Sequence, residues 1–173
     1  NGVSNGAMAG TVGRGLQLEA IKINVKSDAD IGVIYTTHVK NDGWLGNSFN
    51  GEQSGTTGQN KHVEALMLKL TGKDADKYDI YYRVHAQNYG WLAWAKNGEA
   101  AGTSGYAYRL EAIQIVVTAK GDMAPTVFYG GYTSNNAKAY ISKTSTVPII
   151  NTNASVRYQS HVSNIGWQSA VEN

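Results

Sequence analysis

The chain has 173 residues with Lys+Arg 15, Asp+Glu 13 and a formal charge of +2, and only 16% of its residues are charged. It contains no cysteine, which excludes disulfide scaffolds, thiolate zinc clusters and a cysteine nucleophile. Its basic residues are scattered rather than gathered into a stripe for nucleic acid, no apolar run approaches the ~18 residues of a membrane span, and the residues from Asn1 onward do not read as a signal peptide.

Residues 1–25 carry Asn5-Gly6, then Gly10-Thr11-Val12-Gly13, then Glu19 at the head of an aliphatic run. Glu19, Ile21, Ile23 and Val25 alternate with Leu18, Ala20, Lys22 and Asn24, and a period of two predicts a half-buried strand. Residues 31–70 open on another alternating strand, with Val33, Tyr35, Thr37 and Val39 on one face and Ile34, Thr36, His38 and Lys40 on the other. That strand runs into His38-Val39-Lys40-Asn41-Asp42-Gly43-Trp44, followed by Asn50-Gly51, Gly55-Thr56-Thr57-Gly58 and the strand Glu64, Leu66, Leu68, Leu70. Residues 78–117 repeat the whole series. Ile80, Tyr82, Val84 and Ala86 lead to His85-Ala86-Gln87-Asn88-Tyr89-Gly90-Trp91, then Asn97-Gly98, Gly102-Thr103-Ser104-Gly105 and Glu111, Ile113, Ile115, Val117. Short turns at Asp28-Ala29-Asp30 and Asp74-Ala75-Asp76 are predicted to join each second strand to the next first strand as antiparallel hairpins.

Residues 118–153 break the pattern with Pro125, Pro148 and Gly130-Gly131, and read as a linker or long excursion with a strand near Tyr140–Ile150. The repeat returns at residues 154–173, where Val156, Tyr158, Ser160 and Val162 precede His161-Val162-Ser163-Asn164-Ile165-Gly166-Trp167. Those residues are the front part of a repeat whose rear part is residues 1–25. Three copies of a unit of about 47 residues predict an all-β, pseudo-threefold closed architecture, since closure removes sheet edges. A β-trefoil-like barrel fits first, a β-prism second, an open stack third.

The run Tyr82-Arg83-Val84-His85-Ala86-Gln87-Asn88-Tyr89-Gly90-Trp91, with Asn97-Gly98, Ala101-Gly102-Thr103-Ser104-Gly105 and Arg109-Leu110-Glu111-Ala112-Ile113-Gln114-Ile115, resembles the ChW repeat, named for a clostridial hydrophobic unit with a conserved Trp. The resemblance covers residues 1–25, 31–70, 78–117 and 154–173, and departs at Lys61-His62-Val63. It implies a secreted or surface protein of Gram-positive bacteria, with a role in extracellular attachment or assembly.

Among candidate sites, Trp44, Trp91 and Trp167 read either as core anchors or as sugar-stacking platforms. Trp94 stands where the preceding repeat has Asn47 and the last Ala170, so the repeat does not need it; with Tyr89 and Tyr106 it forms the candidate ligand surface. His38, His85 and His161 are expected to fix the Asn-x-Gly-Trp turn rather than to hold a metal. Glu19, Glu64 and Glu111 share the inward face, and need donors such as the N–H groups of the Gly-Thr-x-Gly turn. Three equivalent carboxylates lack the asymmetry of a glycosidase pair, and Asp28, Asp30, Asp74 and Asp76 are too few for a calcium site. The expectation is a non-catalytic extracellular module, without cofactor, that binds cell-wall or other polysaccharide. The alternative is an assembly module completed by exchange of residues 154–173 between chains.

Overall fold

The structure is a computed structural model and describes residues 3–144 and 149–150, together with the strand segments at 161–162 and 166–167. The first repeat contributes β1 (Ala9–Gly10) and β2 (Ala20–Lys22). The second contributes β3 (Gly32–Val39), β4 (Gly43–Trp44), β5 (Ser48–Phe49), β6 (Gln53–Gly55) and β7 (Val63–Thr71). The third repeats that order as β8 (Tyr78–Ala86), β9 (Gly90–Trp91), β10 (Ala95–Lys96), β11 (Ala101–Ser104) and β12 (Leu110–Ala119). Then come β13 (Phe128–Tyr129), β14 (Tyr132–Thr133), β15 (Tyr140–Ser142), β16 (His161–Val162) and β17 (Gly166–Trp167). The fold is all-β: among the described residues the one helical element is a 3-10 turn at Ala75–Lys77.

The long ladders join the two strands of one repeat. β3 pairs with β7 from Gly32 opposite Thr71 to Val39 opposite Val63, and β8 pairs with β12 from Tyr78 opposite Ala119 to Ala86 opposite Leu110. The predicted hairpins across the aspartate turns do not form. β7 and β8, joined through Asp74, lie in different sheets, because the 3-10 turn carries the chain over from one to the other. The two aspartate turns bind each other instead: the Asp30 N–H donates to Asp74 Oδ2 at 3.0 Å and the Asp74 N–H to the Asp30 carbonyl at 3.1 Å.

The Gly-Thr strands knit different repeats together. Gly55 of the second repeat lies opposite Ala20 of the first, Gly102 of the third opposite Ala65 of the second, and Gly10 of the first opposite Ala112 of the third. Each approach is so close that a Cβ on the glycine would stand 2.3–2.4 Å from the carbonyl oxygen of Glu19, Glu64 or Glu111. Inside lie Val33, Tyr35, Leu66, Leu68, Ile80, Tyr82, Val84, Leu92 and Leu110, all at most 1% exposed. Alternation along β3, β7, β8 and β12 places this face inward, as the sequence predicts.

Among the described residues the sheets are not closed, so the closed architecture expected from the three repeats is not seen. β1, β12, β8 and β10 form one, with β9; β15, β11, β7, β3 and β4 form the other, with β5. β2 pairs with β6 on one edge, and among the described residues no strand takes its other edge. The excursion is more ordered than a linker: β13 and β14 make a hairpin, and β15, where a strand was expected, adds in parallel to β11. Of residues 154–173, β16 pairs with β17 and the rest lies outside the described residues.

Candidate functional site

A β-bulge aims Glu64 and Glu111 at the histidine face of their ladders rather than at the inward aliphatic face. The register of the β3–β7 ladder skips Glu64 between Val63 and Ala65, and that of β8–β12 skips Glu111 between Leu110 and Ala112. Glu64, 3% exposed, has Oε2 3.0 Å from His38 Nδ1 and Oε1 3.5 Å from His62 Nε2. Glu111, 6% exposed, has Oε2 3.1 Å from His85 Nδ1 and Oε1 2.7 Å from Arg109 Nη2. These imidazole nitrogens are close to the carboxylates but off the line of a hydrogen bond. Glu19 takes Gln17 Nε2 at 2.8 Å and the Gly58 N–H at 3.1 Å, the latter from the next repeat's Gly-Thr-x-Gly turn rather than its own. The side chain two residues before each glutamate that stands beside its carboxylate is thus Gln17, His62 or Arg109. Sequence reading of the turn alone missed this position.

His38 meets the edge of Trp44 at 5.5 Å and His85 that of Trp91 at 5.6 Å, because each pair faces across a tight hairpin. His161 lies opposite Trp167 in the same backbone register. Burial pushes the His62 and His85 pKa below the ordinary value, outweighing the pull of Glu64 and Glu111. An unfolded histidine takes its proton near pH 6.5, whereas these two take theirs lower in the folded state. Between those values the unfolded chain binds more protons, so stability falls as pH falls below about 6.5. We expect a lower thermal midpoint at pH 5.5 than at pH 7.5, and a smaller difference in His85→Gln, by calorimetry.

Trp94 belongs to a clamp around Arg83. Arg83 is fully buried without a carboxylate partner among the described residues. Its Nε donates to Gln114 Oε1 at 2.9 Å, Nη1 to the Val127 carbonyl at 3.1 Å and Ser134 Oγ at 2.8 Å, and Nη2 to the Tyr129 and Tyr132 carbonyls at 2.8 and 3.0 Å. The guanidinium carbon lies 4.9 Å from the Trp91 ring centre and 4.8 Å from that of Trp94. Trp94 is half-buried, meets Tyr129 edge-on at 5.6 Å and donates Nε1 to the Thr126 carbonyl at 2.8 Å. Gln114 Nε2 continues the network to the Gly6 carbonyl at 3.0 Å. Thr36 holds the place of Arg83 in the second repeat. The third repeat alone therefore carries the cation that fastens the excursion.

Tyr89 and Tyr106 lie apart from this clamp, in a cluster with Tyr108. Tyr106 and Tyr108 stack at 5.7 Å, and Tyr89 meets them at 6.5 and 5.9 Å. Lys143 Nζ stands 4.9 Å from the Tyr106 ring centre. All three rings are half-buried, and among the described residues none of their hydroxyls has a hydrogen-bond partner. At the places of Tyr89 and Tyr108 the second repeat has Asp42 and Lys61, which form an ion pair at 2.7 Å. The contact persists between repeats while its chemistry changes from charged to aromatic. Tyr108 follows from the sequence only once that ion pair is known.

A family model described as Clostridial hydrophobic W matches three stretches, residues 1–27, 38–72 and 85–119, together more than half of the chain. Comparison with curated proteins and with solved structures found no match. Among the described residues, no helix is long and apolar enough to cross a membrane.

Proposed function

This chain belongs to the Clostridial hydrophobic W family, and we propose that it is a non-catalytic extracellular module that binds cell-wall or other polysaccharide through the tyrosine cluster of its third repeat. The observation that carries this reading is the replacement of the Asp42–Lys61 pair by Tyr89 and Tyr108, with Tyr106 added. The scaffold holds its hairpin with either chemistry, so the rings answer to something other than folding. Phenol rings can present their faces to the apolar C–H face of a sugar. Their three hydroxyls offer donors and acceptors to its polar rim, and Lys143 adds a cation beside them. Trp94, committed to the Arg83 clamp, stands outside the contact surface.

The surface location rests on what membership of the family implies. The same reading takes the repeats as related by a pseudo-threefold axis in the manner of a β-trefoil. It is supported by the three equivalent pairings of Gly10, Gly55 and Gly102.

The test is a glycan array and sedimentation with insoluble cell-wall polysaccharide. Tyr106→Ala with Tyr108→Ala is expected to weaken binding at least tenfold, about 1.4 kcal/mol, with an unchanged circular dichroism spectrum. If the unaltered chain binds no polysaccharide at high concentration, the reading fails.

A further inference from the structure

Two residues past each Gly-Thr-x-Gly the chain enters the left-handed region, at Gly15 with φ +66, Asn60 with +52 and Ala107 with +55. Glycine takes that conformation freely and asparagine visits it, whereas the alanine Cβ crowds the following carbonyl. The strained residue is the one between Tyr106 and Tyr108. A residue in a sparsely populated region persists where its surroundings over-determine it, and such residues gather at ligand sites.

Each of these turns is met by a side chain from another repeat. Gln17 of the first repeat donates Nε2 to Asn60 Oδ1 of the second at 3.1 Å. His62 of the second is hydrogen-bonded to the Ala107 carbonyl of the third. Arg109 of the third stands against Gly15 of the first, where an added Cβ would lie 3.5 Å from Nη2. The same three side chains stand beside Glu19, Glu64 and Glu111, so each reaches from its own glutamate to the next repeat's turn. His62 is 7% exposed, and its Nε2, 3.5 Å from Glu64 Oε1, makes no hydrogen bond. Nδ1 is therefore the nitrogen that donates to Ala107. The excursion clasps the loop as well: the Lys143 N–H donates to the Ser104 carbonyl at 3.2 Å, and a Cβ on Gly105 would stand 3.3 Å from Lys143 Cβ.

We propose that His62 and Ala107 are the positioning residues of the tyrosine site. His62 reaches across from the second repeat to fix Ala107, and Ala107 fixes the stack of Tyr106 on Tyr108 against Tyr89. Alanine in place of glycine leaves the free loop fewer conformations to lose when a ligand seats on the rings. The inference rests on the polysaccharide reading of the cluster, and adds that this surface is complete only where the second and third repeats meet.

In the chain without ligand, nuclear Overhauser contacts between the Tyr106 and Tyr108 rings are expected to vanish in His62→Ala. They are expected to return in His62→Asn, whose amide places an N–H where Nδ1 stands. Against insoluble cell-wall polysaccharide, His62→Ala is expected to bind about fivefold more weakly, and His62→Asn within about twofold of the parent. Ala107→Gly separates positioning from folding. Glycine takes φ +55 without a clash, so the thermal midpoint holds or rises, while the freed rings weaken binding about threefold. A role in folding alone would move midpoint and affinity together. Ring contacts indifferent to His62, or an unchanged affinity in Ala107→Gly, would overturn the proposal. If the parent binds no polysaccharide while its ring contacts answer to His62 as expected, the polysaccharide reading fails and the positioning stands.

Discussion

Gly102→Ala is expected to cost at least about 4 kcal/mol, enough to unfold much of the population at 37 °C. Gly102 has φ +124, a region closed to side chains, and a Cβ there would stand 2.4 Å from the Glu64 carbonyl oxygen and 2.6 Å from Ala65 Cα. Both are backbone atoms, so no rotamer change relieves the clash. β11 must withdraw from β7, and the bulge that aims Glu64 at His38 loses its neighbour. Gly10→Ala and Gly55→Ala meet the same obstacle at Glu111 and Glu19. The contrast is Gly58→Ala in the following turn, with φ +69 and nothing within 4 Å of the added Cβ, where about 1 kcal/mol is expected. Denaturant midpoints of the four variants check the ranking. If Gly102→Ala and Gly58→Ala cost the same, the close approach between repeats carries no weight.

Arg83→Thr is expected to cost about 3 kcal/mol and to release the excursion while leaving the repeats folded. A charge buried without a counter-charge is tolerated here because four oxygens of residues 127–134 and that of Gln114 take its five donors. Removal leaves the Val127, Tyr129 and Tyr132 carbonyls facing a gap between two indoles. Threonine suits the strand itself: at the same place in the second repeat, Thr36 Oγ1 donates to the Leu45 carbonyl at 2.7 Å. Limited proteolysis is the sharper readout, with cleavage expected at Phe128, Tyr129 and Tyr132 in the variant and not in the parent. An unchanged cleavage pattern would show that the hairpin of β13 and β14 stays in place without the guanidinium.

The repeat and its strands were legible because alternation is a local signal. Val33, Tyr35 and Val39 face inward whatever β3 pairs with. Pairing was not legible, since two strands separated by a short turn and two separated by a whole repeat carry the same period-two pattern. Hence the hairpins drawn across Asp30 and Asp74 were misplaced. The glutamates were readable as residues in need of donors, but the face they take was not. Their partners were not, because a bulge of one residue decides whether a carboxylate meets a turn or a histidine across the ladder. Trp94 departed from the sister repeat, which marked it as special, whereas Arg83, standing where the second repeat has Thr36, was not singled out. Only the fold of residues 127–134 shows that the two act together.

The bond from Val117 to Asn5 spans 112 residues, and among the described strands β1 pairs with β12 alone. β1 is thus made long before the partner that satisfies it, and the first repeat cannot settle before the third. Long loops must close before their pairings repay the lost chain entropy, which places this chain among slow folders of high contact order. A lesion in the first repeat should then slow the folding of the third.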